Sequence, residues 1–111
     1  MSDIRYSDLE KIEMRVGRVQ RVEDFPKARK PAYQLWIDFG ELGVKTSSAQ
    51  ITQLYSKAEL RDRLVIAVTN LPPRQIADFL SEVLVLGVVL DGGEVSLLQP
   101  DRNVPLGKRI L

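Results

Sequence analysis

The sequence predicts a mainly all-β fold, a small closed barrel of at least five short strands joined by short helical pieces. Three observations predict it. Tyr33, Leu35, Ile37 and Phe39 alternate with Gln34, Trp36 and Asp38, a clean period of two. In the long segment Met14 to Val22, Met14 and Val16 alternate with Arg15, Gly17 interrupts, and Val19 and Val22 resume at a shifted spacing, as a curved first strand does in a closed barrel. Two further apolar runs, Leu64 to Val68 and Val83 to Leu90, are bounded by turn chemistry at Asn70-Leu71-Pro72-Pro73 and Asp91-Gly92-Gly93.

Taken in order, Ser7-Asp8-Leu9-Glu10 fits a capping box and predicts a short helix from Asp8 to Ile12. The first strand follows, with a bulge or sharp curvature expected at Gly17. Tyr33 to Phe39 and Val44 to Ala49 form a hairpin across Glu41-Leu42-Gly43. Trp36 then points away from the apolar face, so a covering element is expected, a partner subunit among the options. Ile51, Leu54, Tyr55, Ala58 and Leu60 follow helical spacing between Gln50 and Arg63. Leu64 to Val68 is a buried strand by its β-branched content. Val83 to Leu90 reads as another with Gly87 inside it, paired through Asp91-Gly92-Gly93 with Val95 to Leu98. The tail Val104 to Leu111 keeps apolar residues to its end and is expected to be docked. A five-stranded Greek-key barrel with a helical connection between strands three and four is the OB arrangement, which binds ligands on its second and third strands and at two loops.

With 111 residues and 44% hydrophobic content, residues 1–111 suit a single domain able to bury about two-thirds of its unfolded surface. The chain has no histidine and no cysteine, which excludes thiolate or imidazole zinc sites and Ser-His or Cys-His nucleophiles. Its 15 acids mostly alternate with bases, as in Glu59-Leu60-Arg61-Asp62-Arg63, the pattern of a solvated face. A binding protein is therefore expected rather than an enzyme, with no metal and no cofactor. Residues 1–6 lack an apolar leader segment and no uncharged run is long enough to span a bilayer, so a cytoplasmic protein with no membrane insertion is expected.

Net charge is only +1, so the distribution of cations matters more than their sum. Lys27, Arg29 and Lys30 lie between Pro26 and Pro31 with no acid after Asp24, a loop suited to phosphate contact or simply to solvation. In the OB arrangement this loop joins strands one and two, Lys45 to Gln50 becomes strand three, and Asn70 to Ile76 opens the connection after strand four. The three segments converge on one surface. Its expected ligand residues are Lys30, Lys45, Ser47, Ser48, Gln50, Asn70, Arg74, Gln75, Ser81 and Glu82. The serines and amides supply donors and acceptors for a peptide backbone or for unpaired bases, and Arg74 can fork onto phosphate or carboxylate. Glu82 repels phosphate, and is expected to pair with Arg74 or to accept from amines. Each segment also has a plain structural role open to it: a hairpin's outer face, a turn cap, a stiff proline pair. Aromatic stacking is not expected to be the main mode, because Tyr33, Tyr55 and Phe79 are the only rings near the surface.

Met14-Arg15-Val16-Gly17-Arg18-Val19, then Asn70-Leu71, Pro73-Arg74 and Ser81, resemble the tRNA-binding OB domain carried by some tRNA synthetases and by free-standing dimeric tRNA-binding proteins. Lys30-Pro31-Ala32-Tyr33, Thr46 to Ile51, Pro72 to Ile76 and Ser81 to Gly87 are similar to one branch of it, the CsaA family of export-related chaperones. The resemblance implies a homodimer built through the N-terminal helix and extra C-terminal strands, with two binding grooves. It further implies an ATP-independent chaperone that takes unfolded or precursor polypeptides and meets the export machinery. Structure-specific tRNA binding in the same groove is the alternative, and an adaptor without a ligand is a third possibility. No phosphate-cradling glycine loop accompanies these motifs.

Overall fold

The computed structural model describes residues 2–111. Its spine is β1 (Met14–Asp24), which pairs antiparallel with β4 (Leu64–Val68) along its first half and with β2 (Tyr33–Asp38) along its second. One strand can serve two neighbours in this way only if it bends. The register with β2 slips between Val19 and Arg21, so the bulge falls at Gln20 and not at Gly17. Gly17 is needed for closeness instead. A Cβ there would lie 2.5 Å from Ile37 Cγ2 and 2.7 Å from the Phe39 ring, both of which cross over the strand.

A 3-10 turn at Gly40–Leu42 leads from β2 into β3 (Val44–Ala49). Leu35 stands opposite Ser47 and Ile37 opposite Lys45, while Gln34 faces Ser48 and Trp36 faces Thr46. Directly opposed residues share a face, so Lys45 and Ser47 are on the interior side and Thr46 and Ser48 on the outer side. The sheet runs β3-β2-β1-β4-β7, with β7 (Leu84–Val85) beside β4. The β3 edge meets residues 80–83: the Thr46 carbonyl accepts from Glu82 N–H at 2.8 Å and from Val83 N–H at 3.1 Å. This seam nearly closes the barrel, an OB-like fold. Inside it, Val19, Leu35, Ile37, Phe39, Leu60, Val65 and Ala67 are fully buried.

One helix is displaced from its sequence signal and the other is shorter than it. The first, α1 (Tyr6–Glu10), begins two residues before the expected start, because the Asp8 carboxylate accepts from Arg5 N–H at 3.1 Å and makes Arg5 the cap. Between Gln50 and Arg63 only α2 (Lys57–Leu60) is helical. Ser56 and Glu59 cap it reciprocally, with Glu59 N–H to Ser56 Oγ at 3.2 Å and Ser56 N–H to Glu59 Oε1 at 2.9 Å. Ile51 and Tyr55 are anchors in an irregular loop rather than part of a helical stripe. Tyr55 Oη accepts from Leu97 N–H at 2.9 Å.

The expected single strand from Val83 to Leu90 is two. β7 stays in the barrel, and after Leu86 the chain enters β8 (Gly87–Val89), which pairs with β9 (Val95–Leu97) as a separate hairpin. Gly87 marks the break, where a Cβ would lie 2.5 Å from Val95 Cγ1 and 2.9 Å from the Ser96 carbonyl oxygen. A further hairpin, β5 (Arg74–Ile76) with β6 (Phe79–Ser81), fills what the sequence pattern left as a connection. The tail is docked as expected. β10 (Arg109–Ile110) pairs with Met14 and Arg15 of β1. Among the described residues no helix is long and apolar enough to cross a membrane.

Candidate functional site

A second, smaller core lies outside the barrel and builds the site. Phe25, Ala32 and Phe79 are buried together, with Ala28, Trp36 and Ile76 packed against them. Phe79 meets Phe25 edge-on at 5.5 Å and Trp36 at 5.7 Å. The Arg21 guanidinium closes the other side of Trp36 at 4.3 Å. Trp36 is therefore covered by its own chain, through the β5–β6 hairpin, and needs no partner subunit for this. The same hairpin is tethered to the loop between β1 and β2 by Lys27 Nζ and Asp78 Oδ2 at 2.7 Å. That hydrogen bond lowers the Asp78 carboxyl below its ordinary range and raises the Lys27 ammonium.

Loop and hairpin, held together in this way, enclose an open cleft of about 620 Å³. Arg29, Lys30, Ser48, Gln50 and Arg74 line it over a floor of Ala28, Ala32 and Ile76. Four of the expected residues, Lys30, Ser48, Gln50 and Arg74, are thus brought together from three segments far apart in the chain. No acid lines the cleft, and among the described residues none of its three cations is in an ion pair. Polar side chains over an apolar floor, with an excess of donors, suit an extended polymer carrying carbonyl, carboxylate or phosphate oxygens.

The other expected residues lie elsewhere. Ser47 is 1% exposed and turned into the barrel. Lys45 shares that inner face at the strand's start and does not line the cleft. Asn70 ties down the segment after α1: its Oδ1 accepts from Glu13 N–H at 3.0 Å and its Nδ2 donates to the Lys11 carbonyl at 2.6 Å. Gln75 Nε2 donates to the Ala77 carbonyl within its own hairpin turn at 2.9 Å. Ser81 and Glu82 belong to the barrel seam. Ser81 Oγ accepts from Ser48 N–H at 2.9 Å. Glu82 Oε1 accepts from Thr46 N–H at 3.0 Å, and the single Thr46 hydroxyl proton is shared between Glu82 Oε1 at 2.9 Å and the Leu80 carbonyl at 2.7 Å. Glu82 is consequently not paired with Arg74. Side chains satisfy the β3 edge where the ladder alone does not, which answers the cost of leaving buried amides unpaired.

Sequence reasoning missed the floor residues Ala28, Ala32 and Ile76. The available signal was Ile76-Ala77-Asp78-Phe79, two apolar residues around a tight turn, with Ala77 at φ 52. The three rings near the surface are all used for packing or hydrogen bonding. Tyr33 and Phe79 are buried, Tyr33 Oη donates to the Tyr55 carbonyl at 2.9 Å, and the Arg63 guanidinium lies over the Tyr55 ring at 4.9 Å.

A family model described as a putative tRNA binding domain matches residues 14–109. Among curated relatives, the methionine–tRNA ligase of Nanoarchaeum equitans (strain Kin4-M) is 36% identical over 107 residues. That alignment takes in 96% of this chain but 13% of the ligase, so the chain spans only about an eighth of that relative. Two solved structures are similar over their whole lengths. Chaperone CsaA of Bacillus anthracis str. Ames is 46% identical with a TM-score of 0.95, covering 99% of this chain and 100% of its own. The CsaA chaperone protein of Picrophilus torridus is 53% identical with a TM-score of 0.91, covering 98% and 100%.

Proposed function

The chain belongs to the putative tRNA binding domain family, and from that premise we propose that it is an ATP-independent chaperone of CsaA type. It holds unfolded or precursor polypeptides in the cytoplasm and passes them to the export machinery. The observation that carries this reading is the cleft between the β1–β2 loop and the β5–β6 hairpin, whose apolar floor lies beneath an acid-free polar rim. Client carbonyls and carboxylates bond to Ser48, Gln50, Lys30 and Arg74, and small apolar side chains rest on Ala28, Ala32 and Ile76. Identity of 46% and 53% to two solved chaperones, across nearly the whole chain, supports it.

The active species in this reading is a homodimer. Apolar surface exposed around α1 and the tail, with Tyr6, Ile12 and an 89% exposed Leu111, and on the β8–β9 hairpin, with a 73% exposed Val89, supports an interface there. Two grooves on one dimer raise the effective concentration of the second contact along a client, so modest affinity per groove suffices.

A second reading, tRNA binding in the same cleft, is favoured by one observation. Glu82, the carboxylate that argued against phosphate, is committed to Thr46 and does not line the cleft, leaving Arg29, Lys30 and Arg74 as its only charges. Fluorescence anisotropy of a labelled unfolded precursor peptide and of labelled tRNA, each titrated across a salt series, separates the two. Peptide binding that persists at high salt is expected for the chaperone. Tight tRNA binding that falls steeply with log salt, with weak peptide binding, would replace it. Lys30→Ala with Arg74→Ala abolishes binding under either reading and leaves an adaptor without a ligand unaffected.

A further inference from the structure

We propose that a second cleft, built by Arg18, Arg63 and Arg102, is a binding site for a phosphate group, independent of the groove just described. The cleft holds about 400 Å³, and Gln99 and Asn103 also line it. Two of its guanidiniums are already immobilised without a carboxylate on either. Arg18 Nη1 donates to the Asp62 carbonyl at 2.7 Å. Asp62, in the left-handed region at φ 66, is itself pinned to β1, donating to the Val19 carbonyl at 2.8 Å. Arg63 lies over the Tyr55 ring, and its Nε is buried with no hydrogen-bond partner.

A buried donor without a partner is costly, and a guanidinium held in place with no carboxylate on its fork is suited to an oxygen anion in the cleft it lines. Acids nearby do not meet this need. Glu59 feels Arg63 but accepts from Ser56 N–H at 2.9 Å, and Asp101 is paired with Arg102 at 3.0 Å. Arg102 is 83% exposed in its side chain and free to exchange Asp101 for a ligand. Three guanidiniums face two carboxylates, Asp62 and Asp101, so the cleft stays cationic. Arginine forks with two amide side chains match the oxygens of a phosphate, either free or within a nucleic-acid backbone.

The test follows the Arg63 Nε–Hε resonance by NMR while pyrophosphate is titrated into the full chain, and separately measures tRNA affinity against log salt. A shift of that resonance is expected, with the pyrophosphate affinity it reports weakened about tenfold in Arg18→Gln, roughly 1.4 kcal/mol, and unchanged in Lys30→Ala/Arg74→Ala, whose residues lie outside this cleft. Arg102→Ala, at an exposed position, carries the same test should Arg18→Gln fail to fold. If the phosphate comes from nucleic acid, each variant also reduces the tRNA salt slope by roughly 0.7–0.9 per lost contact. A pyrophosphate response without a slope change assigns the site to free phosphate. No response of Arg63 to pyrophosphate and no change in slope would overturn the proposal, whatever the groove binds.

Discussion

Replacing Glu82 by alanine distinguishes a seam residue from a ligand residue. The substitution removes an acceptor held by Thr46 N–H at 3.0 Å and Thr46 Oγ1 at 2.9 Å, and it leaves that backbone amide without its partner at the β3 edge. A hydrogen bond to a charged group contributes about 1.5–3 kcal/mol. The hydroxyl retains its contact with the Leu80 carbonyl, so the two bonds are not lost as independent terms. A net loss of about 2–3 kcal/mol is expected. For a chain of this size that lowers the melting temperature by on the order of 10 °C. Glu82→Gln keeps an acceptor oxygen but loses the charge, and costs about 1 kcal/mol. The assay is urea unfolding followed by circular dichroism at fixed protein concentration, since self-association shifts apparent stability. Peptide and tRNA anisotropy is measured on the same samples well below the transition. The expected outcome is a lowered midpoint with affinity retained. A Glu82→Ala protein with an unchanged midpoint that no longer binds either polymer would refute the seam assignment and return Glu82 to the groove.

Phe79→Ala empties the satellite core, and because Trp36 is the only tryptophan its emission should shift to the red in a barrel whose circular dichroism is intact. The stability loss is expected near the low end for a buried aromatic, about 3 kcal/mol, since a satellite core can collapse. Asn70→Ala frees the Glu13 amide and the Lys11 carbonyl, so hydrogen exchange at Glu13 should accelerate while affinity at the cleft stays constant. The Lys27–Asp78 tether gives a pH dependence with a defined sign. The Asp78 pKa is depressed in the folded state, so its contribution is complete above the ordinary carboxylate value and is lost as pH falls through the depressed one. The Lys27 pKa is raised, so its contribution is complete below the ordinary lysine value and is lost as pH rises through the raised one. An acid titration of Trp36 emission should therefore show a transition below the ordinary aspartate range that Asp78→Asn removes.

The elements legible in the chain alone are those that local physics sets. Strict alternation from Tyr33, the β-branched run Leu64–Val68 and the turn at Asp91-Gly92-Gly93 each depend on neighbours in the chain, and each is found where periodicity predicts it. Spacing also brought Lys30, Ser48, Gln50 and Arg74 to one surface, because connecting an OB barrel leaves those loops few places to go. The exact bulge, the split at Gly87 and the β5–β6 hairpin were decided by close approaches to residues distant in sequence. The same is true of the other polar residues. Thr46, Ser81 and Glu82 have the composition of a ligand site, and a strand's period of two says only that neighbours point to opposite faces. Whether an oxygen on either face meets a ligand or an amide across the seam depends on a segment more than thirty residues away, as the 36-residue separation of Thr46 from Glu82 illustrates. Only the folded chain supplies that partner, and a hydrogen bond made within the barrel is no longer available to anything outside it.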